Sequence, residues 1–160
     1  MRAAPAILCQ RIFEVQPDFD PLDPALDLFD IHWKDLDRRA LSGKSKRGRT
    51  VRLVLGADQK LVHGAVLWRD AKRRLVANLL PCQVIVIESL PPVEMARLAY
   101  AIGNLHLPAE IREGRIMLPA DDAAEAAIGR LNARYKLDNC RIHPITDWLP
   151  KISIASELTV

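Results

Sequence analysis

The sequence predicts an α+β protein, β-rich in its first half and alternating strands with helices in its second. Three observations carry this. Short apolar runs separated by turn residues fill the stretch before residue 80, the pattern of a small sandwich or barrel. Gln83–Glu88 is apolar on both parities, as expected for a strand buried on both faces. Two helical periodicities, one after Pro91-Pro92 and one after Pro119, then alternate with short strand-like runs.

The elements follow in order. Ile7, Cys9, Phe13 and Val15 share one parity of a first strand. Pro17, Pro21 and Pro24 mark a turn-rich connection into a short strand near Leu26–Trp33. Val51, Leu53 and Leu55 alternate against Thr50, Arg52 and Val54, and Gly56-Ala57-Asp58 is a turn. Gly64 interrupts Leu61–Trp68, which points to a bulge or tight bend. Arg74–Leu80 is one more short run. In the second half, proline at the first turn can open a helix. Val93, Ala96, Ala99, Tyr100 and Ile102 recur at helical spacing, and Gly103-Asn104 is the expected stop. Glu113-Gly114 joins a hairpin of Ala109–Arg112 and Arg115–Leu118. Asp122 with Glu125 has capping-box spacing ahead of Ala124, Ala127, Ile128, Leu131 and Tyr135. Asn139–His143 reads as a closing strand ended by Pro144. From residue 83 the order is β-α-β-β-α-β, the ferredoxin-like pattern. The expected division is a β-rich domain over 1–80, a ferredoxin-like domain over 81–149 and a loosely ordered tail over 150–160.

Composition narrows the function. The chain has 160 residues, 49% hydrophobic and 27% charged, an ordinary globular mix. A net charge of +3 is too weak to imply nucleic-acid binding by itself. No apolar run approaches the roughly 18 residues of a membrane span, and Pro5 and Arg11 interrupt the only apolar stretch near the start. Three cysteines, Cys9, Cys82 and Cys140, stand far apart without a C-x-x-C. That fits a reducing compartment and a cytoplasmic protein. No phosphate loop, dinucleotide fingerprint, nucleophile elbow or H-E-x-x-H occurs, and no carboxylates form a distinctive catalytic pair. An enzyme is not expected.

Charge is uneven along the chain. Seven aspartates lie between Asp18 and Asp37, whereas Arg38–Arg52 is basic without an acid. The simpler reading is a flexible, solvated loop, Ser42–Gly48, facing the acidic segment. The alternative is a docking surface for an acidic partner.

Of the four histidines, His32 and His63 sit in strand-like segments and read as surface or hydrogen-bonded residues. His106 differs, because it follows a helix end in Gly103-Asn104-Leu105-His106-Leu107-Pro108. Pro108 restricts Leu107 to extended geometry. A histidine there is either presented outward or bonded to a carbonyl of its own turn. One histidine holds a metal poorly, but beside a two-fold axis it meets its own copy and becomes two ligands. Imidazole with water or carboxylate suits nickel, copper or zinc. Binding requires the neutral ring, so it weakens below an ordinary imidazole pKa of roughly 6.5.

From about Asp27 to about Pro144 the chain resembles the urease accessory protein UreE family of nickel metallochaperones. The strongest match is Ala99–Ile111, where Gly103-Asn104-x-His106-x-Pro108 stands between the right helix and the right hairpin. Arg49–Leu55 and Val62–Leu67 resemble the family's basic strand and following turn, and the Asp121–Tyr135 helix and the strand with Cys140 and Ile142 follow in register. The resemblance implies a dimer formed through the second domain, with His106 of each subunit sharing a nickel ion; zinc or copper would suit the same site. It also implies apo-urease and its accessory GTPase complex as partners, and a protein-contact role for the first domain. His143, near the end of the metal domain, is the second candidate ligand; the alternative for it is a strand-end histidine in water. Asp122 is a third candidate, a carboxylate that could reach the metal, but a cap role explains it. Leu105 stands where the family has arginine, and Lys151–Val160 contains no histidine, which argues against storage of nickel by a tail. The competing reading is a metal-free adaptor that binds an acidic protein or RNA through residues 38–52. RNA is disfavoured because Gln83–Glu88 and Arg115–Leu118 contain no stacking aromatics.

Overall fold

The structure is a computed structural model and describes residues 6–88 and 90–144. The described residues form two compact units: those up to Gln83 together with Asn139–His143, and Val84–Asp138 with Pro144. The stretch from residue 145, including the expected tail over 150–160, lies outside the described residues.

The first unit holds six strands, β1 (Ile7–Cys9), β2 (Leu26–Ile31), β3 (Ala40–Lys44), β4 (Thr50–Val54), β5 (Val66–Arg69) and β6 (Arg74–Leu79). They form two three-stranded sheets, ordered β1-β4-β3 and β2-β6-β5. Each sheet combines one parallel and one antiparallel pairing. Leu8 lies opposite Arg52 in parallel and Ser42 opposite Arg52 in antiparallel; Leu28 and Val66 both lie opposite Val76, the first in parallel. The alternation read from β4 follows from its half-exposed sheet: Val51 and Leu53 are buried while Thr50, Arg52 and Val54 face solvent. Residues of both sheets share one core, including Leu53 and Val51 from the first and Ile31, Leu75 and Leu79 from the second. The second sheet is also covered on its other face, where Leu26, Leu28, Val66 and Val76 meet Phe13 and Phe19. The first strand is shorter than expected, since Val15 makes only an isolated bridge to Ala65. Gly64 makes the tight bend with φ +79°, and a Cβ there would collide with the Gln16 carbonyl. The bulge lies beyond it, between Val66 and Trp68.

Ser42–Gly48 is not the flexible loop the sequence implied. Ser42–Lys44 lies in β3, and Ser45 is buried. The cause is Asp27, which sits on β2 with 1% of its surface exposed. Its Oδ2 accepts Ser45 Oγ–H at 2.6 Å and Arg49 Nε–H at 2.7 Å, and its Oδ1 accepts the Arg47 N–H at 3.0 Å. The Lys46 N–H adds a bond to the Leu28 carbonyl at 2.8 Å. The charge reversal between residues 18–37 and 38–52 is thus in part internal pairing: besides Arg49 on Asp27, Lys46 lies on Asp30 at 2.7 Å and Arg38 near Asp35 at 3.7 Å.

The second unit is built on β7 (Cys82–Glu88), whose last residues are joined by α1 (Pro92–Asn104), β8 (Glu110–Arg112), β9 (Arg115–Pro119), α2 (Asp122–Arg130) and β10 (Lys136–Cys140). The sheet order is β10-β7-β9-β8, the arrangement expected of a ferredoxin-like βαββαβ fold. Val84, Ile85, Val86 and Ile87 are all buried, as their unbroken apolar run requires. Ile85, Ile87, Ile116 and Leu118 face Leu98 and Ile102 of α1 and Ala124 and Ile128 of α2. Gly114 turns the β8–β9 hairpin with φ +71°.

Two boundaries move. The cap of α2 is Asp121, whose carboxylate accepts the Ala124 N–H at 2.9 Å, so Asp122 is the first helical residue. The closing strand is Lys136–Cys140 and not Asn139–His143; it is an edge strand with little burial, so no apolar rhythm marks it.

Burial pushes the Asp27 carboxyl up, but the bonds from Ser45, Arg49 and the Arg47 N–H, with the Arg49 charge, outweigh it and hold the group below the usual carboxylate range. Its contribution is therefore fully present above an unfolded pKa of about 3.9 and is lost as pH falls through the lower folded value. Asp27→Asn leaves the half-buried Arg49 without its carboxylate and lowers stability by about 3 kcal/mol at neutral pH. Urea unfolding of the full chain at pH 7 and at pH 3 reads this: the deficit narrows at the lower pH. A deficit under about 1 kcal/mol at pH 7 would show that the pair is dispensable.

Candidate metal centre

The helix α1 begins where proline allows it, with Pro92 at its first position. It ends at Asn104, at the expected stop, but neither Gly103 nor Asn104 is the left-handed residue. Both residues are helical, Leu105 is the cap, and His106 itself adopts the left-handed conformation with φ +55°. The His106 N–H donates to the Gly103 carbonyl at 3.0 Å and the Leu107 N–H to the Ile102 carbonyl at 3.3 Å. This pair of bonds is the Schellman arrangement, in which glycine usually occupies the position that His106 holds here. The motif closes on an apolar contact, because Leu107 packs into the cluster that contains Ile102. Burial of Leu107 on one side of His106 and Ile102 on the other fixes the turn, and His106 is carried outward into solvent.

Strain of this kind costs about 1–3 kcal/mol at a residue with a Cβ, and persists where the surroundings over-determine it. Three apolar residues of this segment are exposed: Leu105, next to His106, at 44%, Tyr100 in the second half of α1 at 73%, and Val93 at the far end of the helix at 63%. The helical spacing of Val93 and Tyr100 therefore does not bury them; Leu98 and Ile102 are the buried residues of α1.

The other candidates lie elsewhere. His143 is half-buried and belongs to the first unit, where its charge and that of Arg141 act on His63. His106 belongs to the second. Burial first, then Arg141 and His143, hold His63 below the usual imidazole range against the Pro17 carbonyl and Asp18. The His63 Nδ1 accepts the Leu79 N–H at 3.2 Å, so this ring is a structural acceptor as the sequence implied. His32 is exposed, and its backbone N–H donates to Asp35 Oδ2 at 3.0 Å. Asp122 lies at the start of α2, next to the capping Asp121. Cys82 and Cys140 are half-buried, not core thiols; Cys9 is the buried one, and burial pushes its thiol up to about 11. Among the described residues no group of three or more histidine, cysteine or acidic side chains is placed to hold a metal ion. His106 is an exposed imidazole on a fixed turn.

A model of the UreE urease accessory protein C-terminal domain matches residues 82–145. The chain is 31% identical over 122 residues to the urease accessory protein UreE of Bacillus cereus, an alignment that covers 76% of this chain and 81% of the relative. The chain belongs to the UreE family. It is also 28% identical to the UreE of Helicobacter pylori strain G27 over 96% of this chain and 98% of the relative. Its 32% identity to the UreE of Flavobacterium johnsoniae extends over 66% of this chain and 64% of that relative, just under two thirds of its length. The domain match takes in α1, the His106 turn and α2. These relatives are named for an accessory role towards urease, not for urease activity. Among the described residues no helix is long and apolar enough to cross a membrane.

The Schellman geometry makes one substitution diagnostic. His106→Gly relieves the left-handed strain and raises unfolding stability by about 1 kcal/mol, while it removes the imidazole. Thermal unfolding of the two proteins checks this, and a less stable glycine variant would mean that the His106 side chain itself supports the fold.

Proposed function

We propose that this protein is a nickel metallochaperone that delivers nickel to apo-urease during assembly of the urease metallocentre. It works in the cytoplasm as a homodimer and is not an enzyme. The observation that carries the reading is the His106 turn: an imidazole held outward at an over-determined position of a UreE-family domain, beside the exposed Leu105. A two-fold axis beside that surface brings two copies of His106 to one ion. Water or auxiliary ligands complete the coordination, and the open positions permit ligand exchange with the recipient. Imidazole donors also accept zinc or copper, so selectivity is a property of the assembled dimer. His143 is a supplementary donor in this reading. The recipient is apo-urease together with its accessory GTPase complex.

The first unit supports a second role within the same reading. The outward face of the β1-β4-β3 sheet carries Leu8, Ala40, Ser42, Lys44, Thr50, Arg52 and Val54, exposed and without a carboxylate. Such a face suits contact with an acidic protein. The same face is what a metal-free adaptor would use.

Nickel titration by calorimetry, with mass measured by light scattering, tests the proposal. The expected stoichiometry is half a nickel per chain in a dimer, abolished by His106→Ala in a protein that stays folded. His143→Ala weakens binding by less than about tenfold, and Cys140→Ala leaves it unchanged. Affinity falls as pH is lowered, because protons compete with nickel for imidazole nitrogens. A His106→Ala protein that binds nickel with the parent affinity would sink the assignment. No binding by the parent would favour the adaptor.

A further inference from the structure

The turn between β5 and β6 borders a basic cavity that the metal reading does not use. Its volume is about 450 Å³, and Arg49, Asp70, Ala71, Lys72 and Arg73 line it. The Arg49 guanidinium is fixed on two sides: its Nε donates to Asp27 Oδ2 at 2.7 Å, and its central carbon lies 4.9 Å from the Trp68 ring centroid. Its Nη2 is buried and has no hydrogen-bond partner among the described residues. Asp27 does not relieve it, since Oδ1 is taken by the Arg47 N–H and Oδ2 by Ser45 and the Arg49 Nε. A buried donor without an acceptor is rare in native structures and calls for a specific explanation.

The charges around it are sorted. Arg69 faces Glu14 at 3.7 Å, and Arg74 is bound by Gln16 and Asp23. Lys72 and Arg73 make no ion pair among the described residues. Asp70 is the carboxylate in the lining, and its Oδ1 is committed to the turn, accepting the Lys72 and Arg73 N–H groups at 2.7 Å each. Three cations therefore face one carboxylate in the lining, and Asp27 offsets one of them.

We propose that this cavity binds an oxyanion, either a carboxylate or a phosphate group. The free edge of the Arg49 guanidinium supplies planar donors, which match either group in pairs. Lys72 and Arg73 supply the surplus positive charge. Asp27 and Trp68 hold the guanidinium in place before the anion arrives, so little ordering remains to oppose binding. The carboxylate source is an acidic side chain on a docked protein; the phosphate source is a free phosphorylated molecule.

The test uses the full chain labelled with nitrogen-15. The indole N–H of Trp68 and the amides of Asp70–Arg73 are followed while sodium phosphate or sodium succinate is added at constant ionic strength, balanced with chloride. The proposal requires a saturable shift with at least one anion. Its midpoint rises about tenfold or more in Lys72→Gln/Arg73→Gln, a loss of roughly 1.4 kcal/mol. That variant leaves the Asp27–Arg49 pair in place, and unchanged amide positions elsewhere verify its fold. Saturation with phosphate alone assigns a phosphoryl ligand, and with succinate alone a carboxylate. No saturation with either anion, or a midpoint unmoved in the variant, overturns the site.

Discussion

A single buried carboxylate organises the first unit. Asp27 gathers Ser45, Arg47 and Arg49 onto β2, and in doing so it joins the end of β3 and the start of β4, in one sheet, to a strand of the other. The segment it holds would otherwise be a hydrated, highly charged loop. Its burial is tolerable only because every oxygen lone pair of consequence has a donor and an arginine supplies the opposite charge. The same arrangement sets the plane of Arg49, so the basic cavity at the β5–β6 turn is a by-product of how the two sheets are tied together.

In the second unit the corresponding constraint is steric. Leu107 must reach the core that Ile102 already occupies, and the only short path between them passes through a left-handed residue. That residue is His106. A more relaxed helix end would leave the imidazole on a mobile loop, whereas here the Schellman bonds fix the backbone that carries it. The ring is thus tied to a defined point on the surface of the second unit.

Much of this was legible in the sequence, and the failures have physical causes. Strand β4 and the β8–β9 hairpin read correctly because a half-buried strand repeats every two residues and Gly114 is needed for its turn. Helix ends read less well. Gly103 and Asn104 carry the residue types of a left-handed stop, but burial of Leu107 put that conformation on His106, three residues beyond the glycine. Asp121 and Asp122 are equally able to cap, and the register of Ala124, Ala127 and Ile128 against the sheet chose between them. Strand β10 carried no rhythm, since neither of its faces is deeply covered, and the buried Ile142 drew the reading too far along the chain. Asp27 could not be told from the six aspartates around it, because its role depends on Ser45 and Arg49, eighteen and twenty-two residues on. His106 stood out through its neighbours, Gly103 and Pro108, although its own backbone conformation did not.

The first unit is discontinuous: Asn139–His143 belongs to it, with Arg141 Nε donating to the Leu79 carbonyl at 2.6 Å and His143 acting on His63. The intervening residues, Val84–Asp138, belong to the second unit, which resumes at Pro144. The two units are therefore interleaved along the chain. On a ribosome the chain emerges from its amino terminus, so the six strands of the first unit leave the tunnel long before their last segment exists. The first unit acquires its final contacts only after both helices of the second have been made.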